Sequence, residues 1–144
     1  MTSELYNKLI LEKLDELQIP FETEFEKFKS DGGKSILFKD KSGFRIFTIR
    51  ADKEIDNKKV RSILKSQKLR FATNEELLEL CGVVSGALPP LGRPFVELDH
   101  YIDINLLENE YIAFNAAILG HRIRIKVADF NRMVKATLCD FQKL

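Results

Sequence analysis

Between Gly82 and Gly92 the chain reads Gly-Val-Val-Ser-Gly-Ala-Leu-Pro-Pro-Leu-Gly, and no helix or strand can run through that stretch. Prolines fix φ and remove their own N–H donors, while glycine permits close approach to the main chain and positive φ. The segment is therefore a shaped loop with uncovered backbone, interrupting whatever lies on either side. Its remaining amides, at Ser85, Gly86, Ala87 and Leu88, are available to an acceptor, and a run of such donors can cradle an anion. An ordinary turn is the plain alternative.

Around this loop the periodicities alternate between helix and strand. Residues 4–17 carry Leu5, Leu9, Leu14 and Leu17, with Tyr6 and Ile10, at helical spacing. Pro20 closes that helix, and Phe21 to Phe25 then alternates as a strand does. Ser35 to Phe38 and Phe44 to Arg50 flank a Lys-Asp-Lys-Ser-Gly turn, which predicts an antiparallel hairpin. Asp56 or Asn57 caps a helix with Val60, Ile63 and Leu64 inward. Leu69 to Ala72 is a brief strand. Thr73 and Glu76 form a capping box for a short helix through Leu80 that stops at Gly82. Strands are predicted over Phe95 to Asp99, Tyr111 to Phe114 and Arg122 to Val127, with a last helix over Asp129 to Thr137. Strands in clusters with short helices between them predict a mixed α+β domain, built on a largely antiparallel, barrel-like sheet with flanking helices.

A chain of 144 residues fits one domain spanning 1–144. It is 44% hydrophobic and 31% charged, with no apolar run of bilayer-spanning length and an acidic, unsignal-like start. A membrane role is thereby excluded at the level of helices, and a reducing cytoplasm is the expected setting. The net charge of +1 hides an asymmetry. Lys58, Lys59, Arg61, Lys65, Lys68 and Arg70 follow one another without a carboxylate, and Arg122, Arg124 and Lys126 alternate; such patches suit a polyanion, although a solvated face is the commoner fate.

The catalytic inventory is thin. Gly33-Lys34-Ser35 has the end of a phosphate-binding loop, but residue 28 is Phe where that motif needs Gly, and a hairpin follows instead of a helix. His100 and His121 have no demonstrable nucleophile partner, so a triad is unsupported. Cys81 reads as a core residue at a helix end and Cys139 as part of the last helix. They form neither a metal-ligand spacing nor a disulfide framework.

Gly33 to Leu37, Leu69 to Leu77, Gly82 to Gly92, Asn109 to Ala116 and Ile123 to Phe130, in this order and spacing, resemble the YbaK/EbsC family. These are aminoacyl-tRNA deacylase domains, also found inserted in bacterial prolyl-tRNA synthetases. The resemblance covers about residues 33 to 134. It implies a trans-acting deacylase that hydrolyses the ester of a mischarged tRNA, with tRNA-Pro carrying alanine or cysteine as the expected substrate. It assigns Lys34 to the terminal adenosine end of the substrate, and Gly86 and Ala87 to the ester carbonyl as it becomes an oxyanion. Ser85, Leu88, Asn115, Ala116 and Arg70 are the expected substrate-binding residues. No metal, cofactor, DNA or membrane is implied; the expected partners are the acceptor end of aminoacyl-tRNA and a synthetase.

Two departures stand out. Relatives carry a longer wall segment before the lysine than Phe21 to Gly33 supplies, and favour glycine where this chain has Ala116. The rival expectation is a non-catalytic module of the same fold that binds tRNA or a synthetase.

Overall fold

The computed structural model describes every residue except Lys29. Helix α1 (Ser3–Glu16) begins where the Thr2 hydroxyl accepts the Leu5 N–H, satisfying one of the first-turn donors. Its buried stripe is Tyr6, Ile10 and Leu14, while Leu5 is 45% exposed. The inward face is thus turned from the leucine row toward the tyrosine. Tyr6 explains the turn: its ring is fully buried and its hydroxyl donates to the Leu91 carbonyl, at the end of the glycine-proline loop. The next residue, Asn7, donates to the Ala116 carbonyl at 2.8 Å. One turn of α1 therefore holds two loops.

Strands β1 (Gly33–Asp40) and β2 (Gly43–Arg50) form the expected hairpin, with Gly33 opposite Arg50 and Asp40 opposite Gly43. The Asp40 carboxylate closes the turn by accepting the amides of Ser42 and Gly43 at 2.8 and 3.0 Å. Helix α2 (Asn57–Leu64) is capped by Asp56. Strand β3 (Leu69–Phe71) leads to α3 (Asn74–Cys81), whose capping box joins Thr73 and Glu76 as expected. Gly82 ends α3 at φ +70°, and a Cβ there would stand 2.5 Å from the Met1 carbonyl oxygen, so both conformation and space demand glycine. Strands β4 (Asp99–Asp103), β5 (Tyr111–Asn115) and β6 (Arg122–Lys126), helix α4 (Val127–Met133) and strand β7 (Thr137–Cys139) complete the chain.

The main sheet has the order β3-β1-β2-β4-β7, and β5-β6 is a separate antiparallel hairpin. Pairing is antiparallel on the β3-β1-β2 side and parallel across β2-β4-β7. This is a mixed α+β fold whose strands do not close into a barrel among the described residues. A single bridge from Gly32 to Ala113 joins the hairpin to the base of β1. One sheet face carries Leu37, Ile46 and Ile102 into the larger core with Tyr6, Ala87 and Leu91. The other carries Phe38, Phe47 and Ile49 against Val60 and Phe141.

Three predicted elements differ. Phe21 to Phe25 is no strand: only Glu22 reaches the edge of β6, pairing with Arg124 through both backbone groups at 3.0 Å, and Phe21 is left 41% exposed. Phe95 and Val96 are buried in tight turns, Phe95 donating to the Gly92 carbonyl at 2.9 Å, and the strand begins only at Asp99. An apolar turn and an apolar strand end look alike in sequence. The last helix starts at Val127 and stops at Met133; Thr137 to Cys139 instead adds a parallel edge strand beside β4, and Cys139 lies on it.

Candidate functional site

Strand β3 pairs with β1 only from Phe38 to Asp40, and the Ala72 N–H adds a bond to the Leu37 carbonyl at 2.8 Å. On the same edge of β1, the Asp31 carbonyl accepts the Ala113 N–H at 2.9 Å. Between these two contacts the edge of β1 has no partner strand among the described residues. A hollow of about 330 Å³ lies there, with Ser35, Ile36 and Leu37 on one wall and Ser85, Gly86 and Leu88 on the other. Ala72 and Leu77 complete its apolar lining. A neighbouring, more open hollow of about 550 Å³ shares Ser85 and is rimmed by Leu78, Val84 and Leu119, each more than half exposed.

The wall opposite β1 is a reverse turn. The Ala87 N–H donates to the Val84 carbonyl at 3.0 Å, and Gly86 has φ +89°. A positive φ at the third position is the pattern of a type II turn, which glycine adopts without penalty. The Asn115 amide, from the end of β5, donates to the Gly86 carbonyl at 2.8 Å and holds the turn from behind. The amides of Ser85, Gly86 and Leu88 have no hydrogen-bond partner among the described residues. Three residues that line the hollow, Ser85, Gly86 and Leu88, thus keep backbone N–H groups without a protein partner among the described residues.

Ala87 does not belong to this donor set. It is fully buried, and its N–H is the one that closes the turn. Lys34 stands one residue before the hollow, not on its wall. Strand alternation gives it the face of Ile36, opposite that of Ser35. Its ammonium has no ion-pair or hydrogen-bond partner among the described residues. Ala116 is buried outside this hollow; it lines another of about 370 Å³ with Asn7, Phe21, Thr23 and His121. Arg70 is held by Glu76 through two bonds of 2.7 and 2.9 Å, and this pairing with the Thr73 amide pulls the Glu76 carboxyl down to about 2. Arg124 is also engaged, with Glu22 and Asp31 and with the Tyr111 ring 3.8 Å away. Of the basic run expected to meet a polyanion, Lys68 and Arg70 line a depression beyond β3 together with Lys39, Lys41 and Asp40.

Among the described residues the only hydroxyls lining the hollow are those of Ser35 and Ser85, and no cysteine or histidine lines it. Burial pushes the thiols of Cys81 and Cys139 up to about 11 each, far from the thiolate form at neutral pH. His121 is exposed on the β5-β6 loop. His100 is 3% exposed, and burial brings its imidazole down to about 3. The unfolded ring takes up a proton near pH ~6.5, so acidification favours the unfolded chain. Stability therefore falls as pH drops from about 6.5 toward 3, by about 2 kcal/mol from this residue on reaching about pH 5. Chemical denaturation across that range should show the loss, and His100→Gln should flatten it.

Sequence reasoning named the Leu88 amide among the open donors but missed Ala72 and Leu77 as lining residues. It also missed a polar chain inside the sheet. Ser35 and Thr48 face each other in the β1-β2 register with their hydroxyl oxygens 2.8 Å apart, and the Thr48 oxygen lies 2.7 Å from His100 Nε2. The facing register of a hairpin was the available signal; the contact to β4 had none.

The chain was also compared with known proteins. The family profile described as an aminoacyl-tRNA editing domain matches residues 22–133. Proline–tRNA ligase of Kosmotoga olearia is 44% identical over 59 residues, covering 41% of this chain and 10% of the ligase. The chain thus matches about a tenth of the length of such ligases. The multifunctional Ser/Thr-tRNA deacylase ProXp-y of Escherichia coli K12 is 33% identical over 95 residues, 65% of this chain and 56% of that protein. A crystal structure of a candidate trans-editing enzyme for prolyl-tRNA synthetase superposes with a TM-score of 0.80 at 18% identity, covering 96% of this chain and 98% of that one. A profile match over most of the chain, on a fold that puts its glycine-proline loop against β1, makes this protein a member of the aminoacyl-tRNA editing domain family.

Proposed function

We propose that the protein is a trans-acting deacylase that hydrolyses the ester of a mischarged tRNA, with tRNA-Pro carrying a small amino acid such as alanine or cysteine as substrate. The observation that carries the reading is the hollow walled by the unpaired amides of Gly86 and Leu88. The acyl group enters it against Leu77, Leu88 and Ala72. The nucleoside end rests toward Leu78, Val84 and Leu119. Water adds to the ester carbonyl carbon and gives up a proton, and the Gly86 and Leu88 amides hold the oxyanion. The carbon–oxygen bond to the ribose breaks as the ribose oxygen takes a proton and leaves as a hydroxyl, the remaining proton going to solvent. The amino acid leaves as the carboxylate. One such donor contributes about 2.7–4 kcal/mol to lowering a barrier of this kind. A second sieve of this sort is needed because one methylene separates substrates by only about 1–3 kcal/mol in a synthetase pocket.

Lys34 supplies the cation of the reaction, meeting the terminal phosphate or ribose of the tRNA beside the hollow. Lys34→Ala is expected to cut kcat/KM by about 10²-fold, a loss on the scale of one charged contact to the transition state. Its unfolding curve should match wild type, because the ammonium holds nothing in the fold. The deciding assay incubates the protein with tRNA-Pro charged with alanine, cysteine, serine or threonine. Ester loss above buffer supports the proposal; tRNA binding without ester loss from any of them would favour the non-catalytic module.

A further inference from the structure

We infer that Ser35 directs its hydroxyl proton into the hollow beside the Gly86 turn, held so by Thr48 and His100, and there selects acyl groups whose side chain carries a hydrogen-bond acceptor. The inference rests on the deacylase reading of that hollow.

Ser35, Thr48 and His100 lie on three adjacent strands, β1, β2 and β4, along one face of the sheet. Their side chains form a continuous row, with Ser35 Oγ 2.8 Å from Thr48 Oγ1 and Thr48 Oγ1 2.7 Å from His100 Nε2. Thr48 is fully buried and His100 nearly so, whereas Ser35 is half-buried and lines the hollow. The direction of the row follows from its far end. His100 Nδ1 is buried without a partner. A proton on Nδ1 would leave a buried donor unsatisfied, so the neutral ring carries its proton on Nε2 and leaves only a lone pair bare. His100 then donates to Thr48. The Thr48 proton passes on to Ser35 Oγ, and Ser35, already accepting, has its own proton left to give. The open end of the row is the hollow. The remaining lining there is mainly apolar, apart from Asn74 and Ser85, so a hydroxyl or thiol on the acyl side chain gains a donor at Ser35 and a bare methyl gains nothing. A site built to bond a polar group discriminates against the analogue that lacks it.

The test compares kcat/KM for tRNA-Pro charged with serine and with alanine, which differ by one hydroxyl. Ser35→Ala should lower the serine-to-alanine ratio about tenfold, the scale of one net hydrogen bond, chiefly through the seryl ester. Ser35→Thr should keep the ratio within about twofold of wild type, because the hydroxyl remains. Thr48→Val should lower it by a smaller factor, and the Ser35→Ala/Thr48→Val pair no further than Ser35→Ala alone, since Thr48 acts through Ser35. Nitrogen NMR of the histidines should find the His100 proton on Nε2. An unchanged ratio in Ser35→Ala, additive effects of the two substitutions, equal loss on both esters, or a proton on Nδ1 would each overturn the inference while leaving the deacylase intact. A wild-type protein that hydrolyses none of the charged tRNAs would overturn the function beneath it.

Discussion

Gly86→Val lowers kcat/KM for ester hydrolysis by about 10²–10³, the cost of losing one aimed oxyanion donor, with folding and tRNA affinity near wild type. Space is not the reason: a Cβ at this position would meet only Leu119 Cδ2, at an ordinary 3.6 Å. Conformation is. Gly86 sits at φ +89°, and a β-branched residue is driven out of that region. The turn can still close through the Ala87 amide and the Val84 carbonyl by changing from type II to type I. That change flips the peptide between residues 85 and 86, so the N–H of residue 86 swings away from the hollow. A single-turnover assay on charged tRNA-Pro measures it. Kinetics within twofold of wild type would mean that this amide takes no part in the reaction.

Asp103→Ala has the largest expected effect on stability, a loss of about 3 kcal/mol or more, since each buried donor left unpaired costs about 1–3 kcal/mol. The carboxylate is fully buried at the end of β4. One oxygen accepts the Asn105 backbone and side-chain amides, both at 3.0 Å, and the other accepts the Phe141 N–H at 2.9 Å. It thereby ties the last residues to the sheet, where the buried Phe141 ring packs edge-on against Phe47 at 5.1 Å between centroids. Removing the carboxylate frees all three donors at once and loosens an aromatic pair. Urea unfolding reads the loss, and Asp103→Asn, which keeps one acceptor, should fall between the two.

Local rules carried the parts of this fold that are decided locally. The Thr73 capping box, the Gly82 stop and the β1-β2 hairpin all depend on a few neighbouring residues, and all three stand where the sequence puts them. Decisions made by distant partners were not legible. Whether Thr137 to Cys139 continued a helix or joined β4 depended on a free sheet edge almost forty residues upstream. Phe21 to Phe25 alternated like a strand but found only one residue of β6 to pair with. In the candidate site, residue type drew attention to the glycine-proline loop, yet which amides it leaves open is a property of the closed turn. Ala87 looked available because its own N–H···Val84 bond cannot be seen in composition. Sequence spacing put Lys34 beside Ser35, while the strand's alternation set it on the other face from Ser35.

The most direct measurement of the central claim is a backbone amide NMR titration with a 3′-aminoacylamido adenosine, in which an amide replaces the labile ester. The account predicts that the N–H signals of Gly86 and Leu88 move downfield as they take up the carbonyl oxygen, with the Ala87 signal nearly still. Binding that moves signals around Asn7, Ala116 and His121 while leaving those of 86 and 88 unshifted would contradict it.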